Sequence, residues 1–456
     1  MSGTANAVGR DDFSLSRVPE SARRPWFSIA VQRFGQIASF HQFLLGAVLG
    51  FGMTFWNAVL AITLGAAIME VITVLLGVAG MREGLSTSVL TRWSGFGHRG
   101  SALVGLLMTI SLAGWFGVQN GAFAQGLSNL LGGPPLWAWS LIGGMLVTGI
   151  VVFGIHGMAW TAYLTVPAFL LLSGYAIWDG LRMHSLSELM SSAPPGPALS
   201  LAAGTTLVSG AFIMGAIMTP DLTRFNRSTG DVVKQTVLSV TLGEFVIGLI
   251  GVLLAHAAKT SDVVNIITSS SGFLGTLILV AAILKVNDWN LYCASLGLVN
   301  TIDVLLGKRT NRIAATLGLG LLGSVLSALG ILGQFQGFLT WIGVISPPIA
   351  GIIIAEYFLV RSWRPVLEES RARGELPATA PTWVPAAVAC WVFGAVAGAF
   401  LPFGIPTLTS VLAAFLGYLL LGRFGLTRGI GSTPTATPTA PSTKEEEHRV
   451  ASHHPH

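Results

Sequence analysis

Charge is scarce in this chain: 25 Lys and Arg with 20 Asp and Glu make only 10% of 456 residues. Soluble domains draw about a quarter of their residues from these types, so a purely water-exposed globule is excluded. Cysteine is nearly absent as well. Cys293 and Cys390 both fall in apolar stretches, which excludes a disulfide framework. No Cys and His cluster has metal-ligand spacing, so neither a metal centre nor a cofactor is expected. A nucleophile and base at workable spacing is also lacking, and an intramembrane enzyme is therefore not the expectation.

Apolar sequence fills the space. The segments 34–69, 100–178, 189–220, 263–284, 313–355 and 376–422 contain no Asp, Glu, Lys or Arg. A helix crossing a bilayer needs about 20 apolar residues, so several segments hold two or three crossings. Dividing them at Gly, Pro and Asn gives about twelve spans, near 28–50, 54–79, 102–131, 136–155, 158–180, 199–220, 233–257, 272–303, 313–332, 335–360, 382–401 and 404–422. The continuity of the runs speaks against a membrane β-barrel, whose signal is a weak alternation. The fold class expected is an all-α polytopic membrane protein.

Basic residues set the expected orientation. Placing residues 1–25 in the cytoplasm gives that side Arg10, Arg17, Arg23 and Arg24, then the arginines and lysines of every second loop and of the C-terminal tail. The opposite side receives Arg182 and Lys259, while Arg33 and Lys285 fall inside spans. The asymmetry puts both termini in the cytoplasm of a cell whose cytoplasmic membrane holds residues 26–422. It also accounts for the high pI without any nucleic-acid partner. Residues 427–456, rich in Ser, Thr and Pro, are expected to be a disordered tail.

Ionisable side chains inside spans are costly and mark candidate sites. They are Arg33, His41, Glu70, Glu244, Lys285 and Asp288. Arg33 lies near the start of span 1 and is expected to snorkel to the headgroups. Glu70 and Glu244 suit interhelical hydrogen bonding as well as proton relay. Span 8 holds a denser group, Lys285, Asn287, Asp288 and Asn290, with Lys285 and Asp288 on one helical face. In span 3, Trp115 and Gln119 stand one turn apart, offering an indole for stacking and an amide for a polar edge. In span 6, Gly210 and Gly215 flank Phe212, which suits either close packing or an interrupted helix.

A set of motifs then carries a resemblance. Arg17-Val-Pro-Glu-Ser-Ala-Arg23, Gly84-Leu-Ser-Thr87, Gly114-Trp-Phe-Gly-Val118, Asp221-Leu-Thr-Arg-Phe225, Asn287 and Asp288 with Leu291 and Tyr292, Ser346-Pro-Pro-Ile349 and Ile354-Ala-Glu-Tyr357 occur in this order. Together the chain resembles the nucleobase:cation symporter-1 family, its cytosine permease branch above all, from about residue 12 to 422. The resemblance implies a LeuT-like fold: an inverted 5+5 repeat over about 28–180 and 199–360, helices 1 and 6 broken at the midplane, and two extra C-terminal helices at about 382–422. It implies that a planar substrate is sandwiched between Trp115 and Phe212, with Asn287 and Gln119 reading its edge. Phe40, His41 and Gln42 stand where the family has small residues near the span 1 break, and Gln42 is expected to line the site. The glutamine and serine by which cytosine permeases read their substrate are Leu112 and Ala211 here. The span 8 hydroxyls that help hold Na⁺ in the family are Lys285 and Val286. Lys285, with His41 and Asp288, is thus expected to stand in for the cation, and H⁺ is expected to couple rather than Na⁺.

The sequence therefore points to a monomeric secondary transporter importing a small nucleobase-like heterocycle. Hydantoin, allantoin, a vitamin-precursor pyrimidine or an amino acid as cargo, Na⁺ symport, and a channel stay open at this level.

Overall fold

The computed structural model describes residues 13, 16–37, 40–152, 171, 174, 175, 178, 182, 184–308, 310–401 and 404–435, with a few side chains inside these ranges left aside. The fifth expected span, 158–180, lies almost wholly outside the described residues. Among those described, the chain is helical apart from one two-stranded sheet.

The helices are α1 (Trp26–Ile37), α2 (Phe40–Gly52), α3 (Phe55–Glu83), α4 (Thr87–Leu90), α5 (Gly97–Leu131), α6 (Leu136–Val152), α7 (Leu186–Ser191), α8 (Leu201–Ile217) and α9 (Thr219–Thr223). After them come α10 (Thr229–Leu242), a π-helical turn (Gly243–Ile247), α11 (Gly248–Ala258), α12 (Val263–Leu306), α13 (Arg312–Ala328), α14 (Phe335–Ile345) and α15 (Pro347–Ile354). The last are α16 (Arg364–Ala372), α17 (Pro385–Phe400) and α18 (Pro406–Arg423). Among the described residues six helical segments are long and apolar enough to cross a membrane, and five shorter apolar helices accompany them. The protein is a multi-pass membrane protein.

Local chemistry sets the ends. Thr54, Ser200, Ser228, Asp262 and Asn311 cap the helices that follow them by accepting a backbone N–H. Gly84 and Gly307 close α3 and α12 in the left-handed conformation that glycine adopts without strain. Asp262 starts α12 well before residue 272, where the eighth span was expected to begin, and the Ser269, Ser270, Ser271, Gly272 stretch stays helical.

Two further expectations change. Helix 6 is not interrupted between Gly210 and Gly215: α8 runs unbroken to Ile217 and gives way at Met218 to the one-turn α9. The break expected in span 1 has no outcome here, since α1 ends at Ile37, α2 begins at Phe40 and residues 38 and 39 lie outside those described. Gly210 serves close packing, since a Cβ there would meet the Leu339 carbonyl and the Gly343 Cα of α14. Gly210→Val should therefore lower stability by about 1 to 3 kcal/mol, read as a lower unfolding temperature in detergent.

Residues 430–434, expected to lie in a disordered tail, are also ordered. Ile430–Pro434 forms β2, antiparallel to β1 (Thr379–Trp383), in the register Thr379 to Pro434 and Trp383 to Ile430. Trp93 donates its indole N–H to the Thr379 carbonyl at 3.0 Å, fixing the sheet to the segment between α4 and α5. Low-complexity Thr and Pro conceal this strand because its partner is far away in sequence. Residues beyond 435 lie outside the described ones.

Candidate functional site

The rings gather as the sequence suggests, with one addition. Trp115 on α5 and Phe212 on α8 are both buried, and the His41 imidazole of α2 lies against both. Its centroid is 6.1 Å from Phe212 with planes 21° apart, and 5.3 Å from Trp115 at 59°. The expected sandwich thus already contains a flat five-membered heterocycle belonging to the protein. Phe335 and Phe338 of α14 pack edge-on to Trp115 at 5.8 Å and 5.4 Å. These two were not anticipated, although three-residue spacing on a helix presents both to one neighbour.

Amides form the other wall. α5 and α12 run antiparallel, and the Asn290 side chain donates to Gln119 Oε1 at 3.3 Å. That bond engages the Gln119 oxygen. Asn287, one turn along α12, is fully buried, and neither its Nδ2 nor its Oδ1 has a hydrogen-bond partner. A buried, unpaired amide costs about 1 to 3 kcal/mol and calls for an explanation. Gln42 is buried beside Gly248, and its Nε2 also has no partner. Asp288 is fully buried next to Asn287. Lys285 lies on α12, but its side chain is outside the described ones, so its expected pairing with Asp288 has no geometry here.

A cavity of about 710 Å³ approaches this cluster. Phe40, Gln125, Ser140, Asp262, Phe335 and Gln336 are among its lining residues. It sits along the first half of α2, toward the end of α5 and at the starts of α6, α12 and α14, opposite the end of the bundle where Arg17 lies. Phe335 lines the cavity and touches Trp115, so the space ends where the rings begin.

Most motifs that carry the resemblance meet at the other end. Arg17 pairs with Glu83 Oε2 at 2.9 Å and donates to Ser370 Oγ at 2.8 Å. The other Glu83 oxygen accepts from Tyr357 at 2.7 Å and pairs with Arg371 at 2.9 Å. Burial draws the Arg17 guanidinium below its ordinary value while the Glu83 charge opposes that shift; it stays charged all the same. Nearby, Asp221 accepts from the Thr87 N–H at 3.0 Å and from its hydroxyl at 3.1 Å. One carboxylate thus serves the otherwise unsatisfied start of α4. The N-terminal segment, α3, α4, α9, the end of the tenth span and α16 are thereby fastened together, closing the bundle at this end.

Arg33 departs from expectation. It does not snorkel; it is 1% exposed and donates to the Gly215 carbonyl of α8 at 3.3 Å.

Comparison with known proteins agrees with this architecture. A family model described as "Permease for cytosine/purines, uracil, thiamine, allantoin" matches residues 17–425. The cytosine permease of Escherichia coli (strain K12) is 30% identical over 419 residues, covering 90% of this chain and 94% of the relative. A hydantoin permease of Microbacterium maritypicum is 25% identical over 378 residues, covering 76% and 74%. Among solved structures, Mhp1 in an inward-facing conformation aligns with a TM-score of 0.74 at 20% identity, covering 95% of this chain and 97% of that one. Mhp1 closed around bromovinylhydantoin aligns at 0.70 with 22% identity, covering 93% and 97%. The relatives are permeases and transporters rather than enzymes, and the chain belongs to the nucleobase:cation symporter-1 family of permeases for cytosine, purines, uracil, thiamine and allantoin.

Proposed function

We propose that this protein imports a small planar nucleobase-like heterocycle across the cytoplasmic membrane by alternating access, as a monomer with both termini in the cytoplasm. In this reading about twelve spans include an inverted repeat over 28–180 and 199–360, with two further helices following. Trp115 and Phe212 hold the faces of the ring, Gln119 and Asn287 its edge, and Gln42 closes the side. The observation that supports this most is Asn287: a buried amide with a free donor and a free acceptor complements a ring edge presenting both.

The imidazole of His41 occupies part of the stack, so the substrate either displaces it or stacks beside it. The substituents at Lys285 and Val286, an ammonium and an alkyl group in place of two hydroxyls, favour H⁺ coupling over Na⁺. A hydantoin is the second cargo to test, because Gln119 offers donors suited to a ring carbonyl and a hydantoin permease is among the relatives.

Trp115→Ala should lose about 1 to 3 kcal/mol of heterocycle binding, the range for a base stacked on an aromatic side chain, and Trp115→Phe should lose less. Calorimetric titration of purified protein with cytosine and hydantoin reads the difference. Equal affinities for parent and both variants would place the stacking surface elsewhere.

A further inference from the structure

We propose that Glu244 and Glu70, balanced by Arg33, form the site that takes up and releases the coupling proton; this deepens the proton-coupled reading above and rests on it. Glu244 lies on the π-helical turn between α10 and α11 and is 1% exposed, with no partner for Oε2. Glu70 of α3 is half-buried and accepts from the Thr241 hydroxyl at 2.6 Å. Arg33 and Glu70 are the charges that act on Glu244. Thr241, which holds Glu70, lies one turn before Glu244, and Gly243 beside Glu244 packs on Ile37, one turn after Arg33. Two carboxylates and one guanidinium thus gather among apolar helices, with one negative charge in excess when both carboxylates are ionised. Removing that excess by binding one proton is far cheaper than burying it. Isolated turns of π-helix inside α-helices are frequent at functional sites, and this one, like the turn Ala355–Val360, carries a buried carboxylate.

The guanidinium ties the cluster to the rings. Arg33 bonds the carbonyl of Gly215, and a Cβ on Gly215 would stand 2.6 Å from the Phe212 ring, so that ring rests on the same residue. Arg33 Nε has no partner, which leaves it able to turn toward a carboxylate. With Glu244 ionised, Arg33 is drawn to it and its hold on Gly215 weakens. With a proton on a Glu244 oxygen, Arg33 keeps the carbonyl and the last turn of α8 is fixed beneath Phe212. The proton is taken from water as an O–H on the carboxyl and returned to water when the cluster opens.

Other ionisable groups on the elements packed against the π turn have partners or lie far along their helices. His41 of α2 meets the rings, Glu83 of α3 meets Arg17, and Arg82 is exposed at the end of α3. Asp231 and Lys234 lie near the start of α10, and His256 of α11 bonds Ser192.

The test uses the full chain and two independent readouts. Infrared difference spectra between acidic and alkaline buffer, without substrate, should show a protonated-carboxyl band that Glu244→Gln or Glu70→Gln removes or shifts. In proteoliposomes, an acidic exterior should raise cytosine accumulation about tenfold per pH unit in the parent. Glu244→Gln should lose that response while keeping cytosine counterflow, which also shows that the variant is folded. A carboxyl band unchanged in both variants, or gradient-driven accumulation surviving in Glu244→Gln, would overturn the proposal. Failure of the parent to exchange cytosine counts against cytosine as substrate, whereas the infrared band decides the proton site by itself.

Discussion

Asn287→Leu is expected to make the protein more stable and a poorer binder at once. The amide is buried with neither polar atom satisfied, and replacing it by an apolar side chain of similar volume removes a desolvation cost of about 1 kcal/mol or more. The ligand meanwhile loses one donor and one acceptor. Each neutral hydrogen bond is worth about 1 to 1.5 kcal/mol, so affinity should fall about 100-fold. Thermal unfolding and calorimetric titration on the same preparation check both halves. A lower unfolding temperature with unchanged affinity would make Asn287 a packing residue.

Glu83→Gln should act in the opposite direction at the far end of the bundle. Glu83 is 1% exposed on its side chain and answers two arginines and a tyrosine. Breaking a buried ion pair by removing one partner costs about 3 to 5 kcal/mol, because the remaining charge is left uncompensated. The variant should unfold at lower temperature, and hydrogen exchange should quicken in residues 17–24 and in Arg364–Ala372, the segments the clamp fastens. Parental exchange in both segments would show that apolar packing rather than charge keeps this end closed.

Much of this was legible in the sequence, for identifiable reasons. Long uncharged runs fix the membrane helices because nothing else can satisfy so much apolar surface. Trp115, Gln119 and Asn287 stand out because polar and aromatic groups inside a span are costly or specific. Non-local partners were hidden. Nothing in the spacing tells that Asn290 holds Gln119, that the His41 ring enters the stack, or that Ile430 pairs with Trp383. Arg33 was misplaced for a related reason: a snorkelling arginine and one bonded to a helix end look alike until α8 is packed beside α1. In the sequence the motifs at Arg17, Thr87, Asp221 and Tyr357 are family marks alone, and the structure gives them one shared task.

The central claim, that the ring and amide cluster carries a planar heterocycle across the membrane, is tested most directly by counterflow. Proteoliposomes loaded with unlabelled cytosine, or with hydantoin, would be diluted into the same radiolabelled compound with Na⁺, K⁺ or choline outside. Expected is a transient accumulation of label that is independent of the cation present and abolished by Asn287→Leu. Counterflow with neither compound, or counterflow undiminished in Asn287→Leu, would contradict it, and a requirement for Na⁺ would overturn the proton-coupled reading.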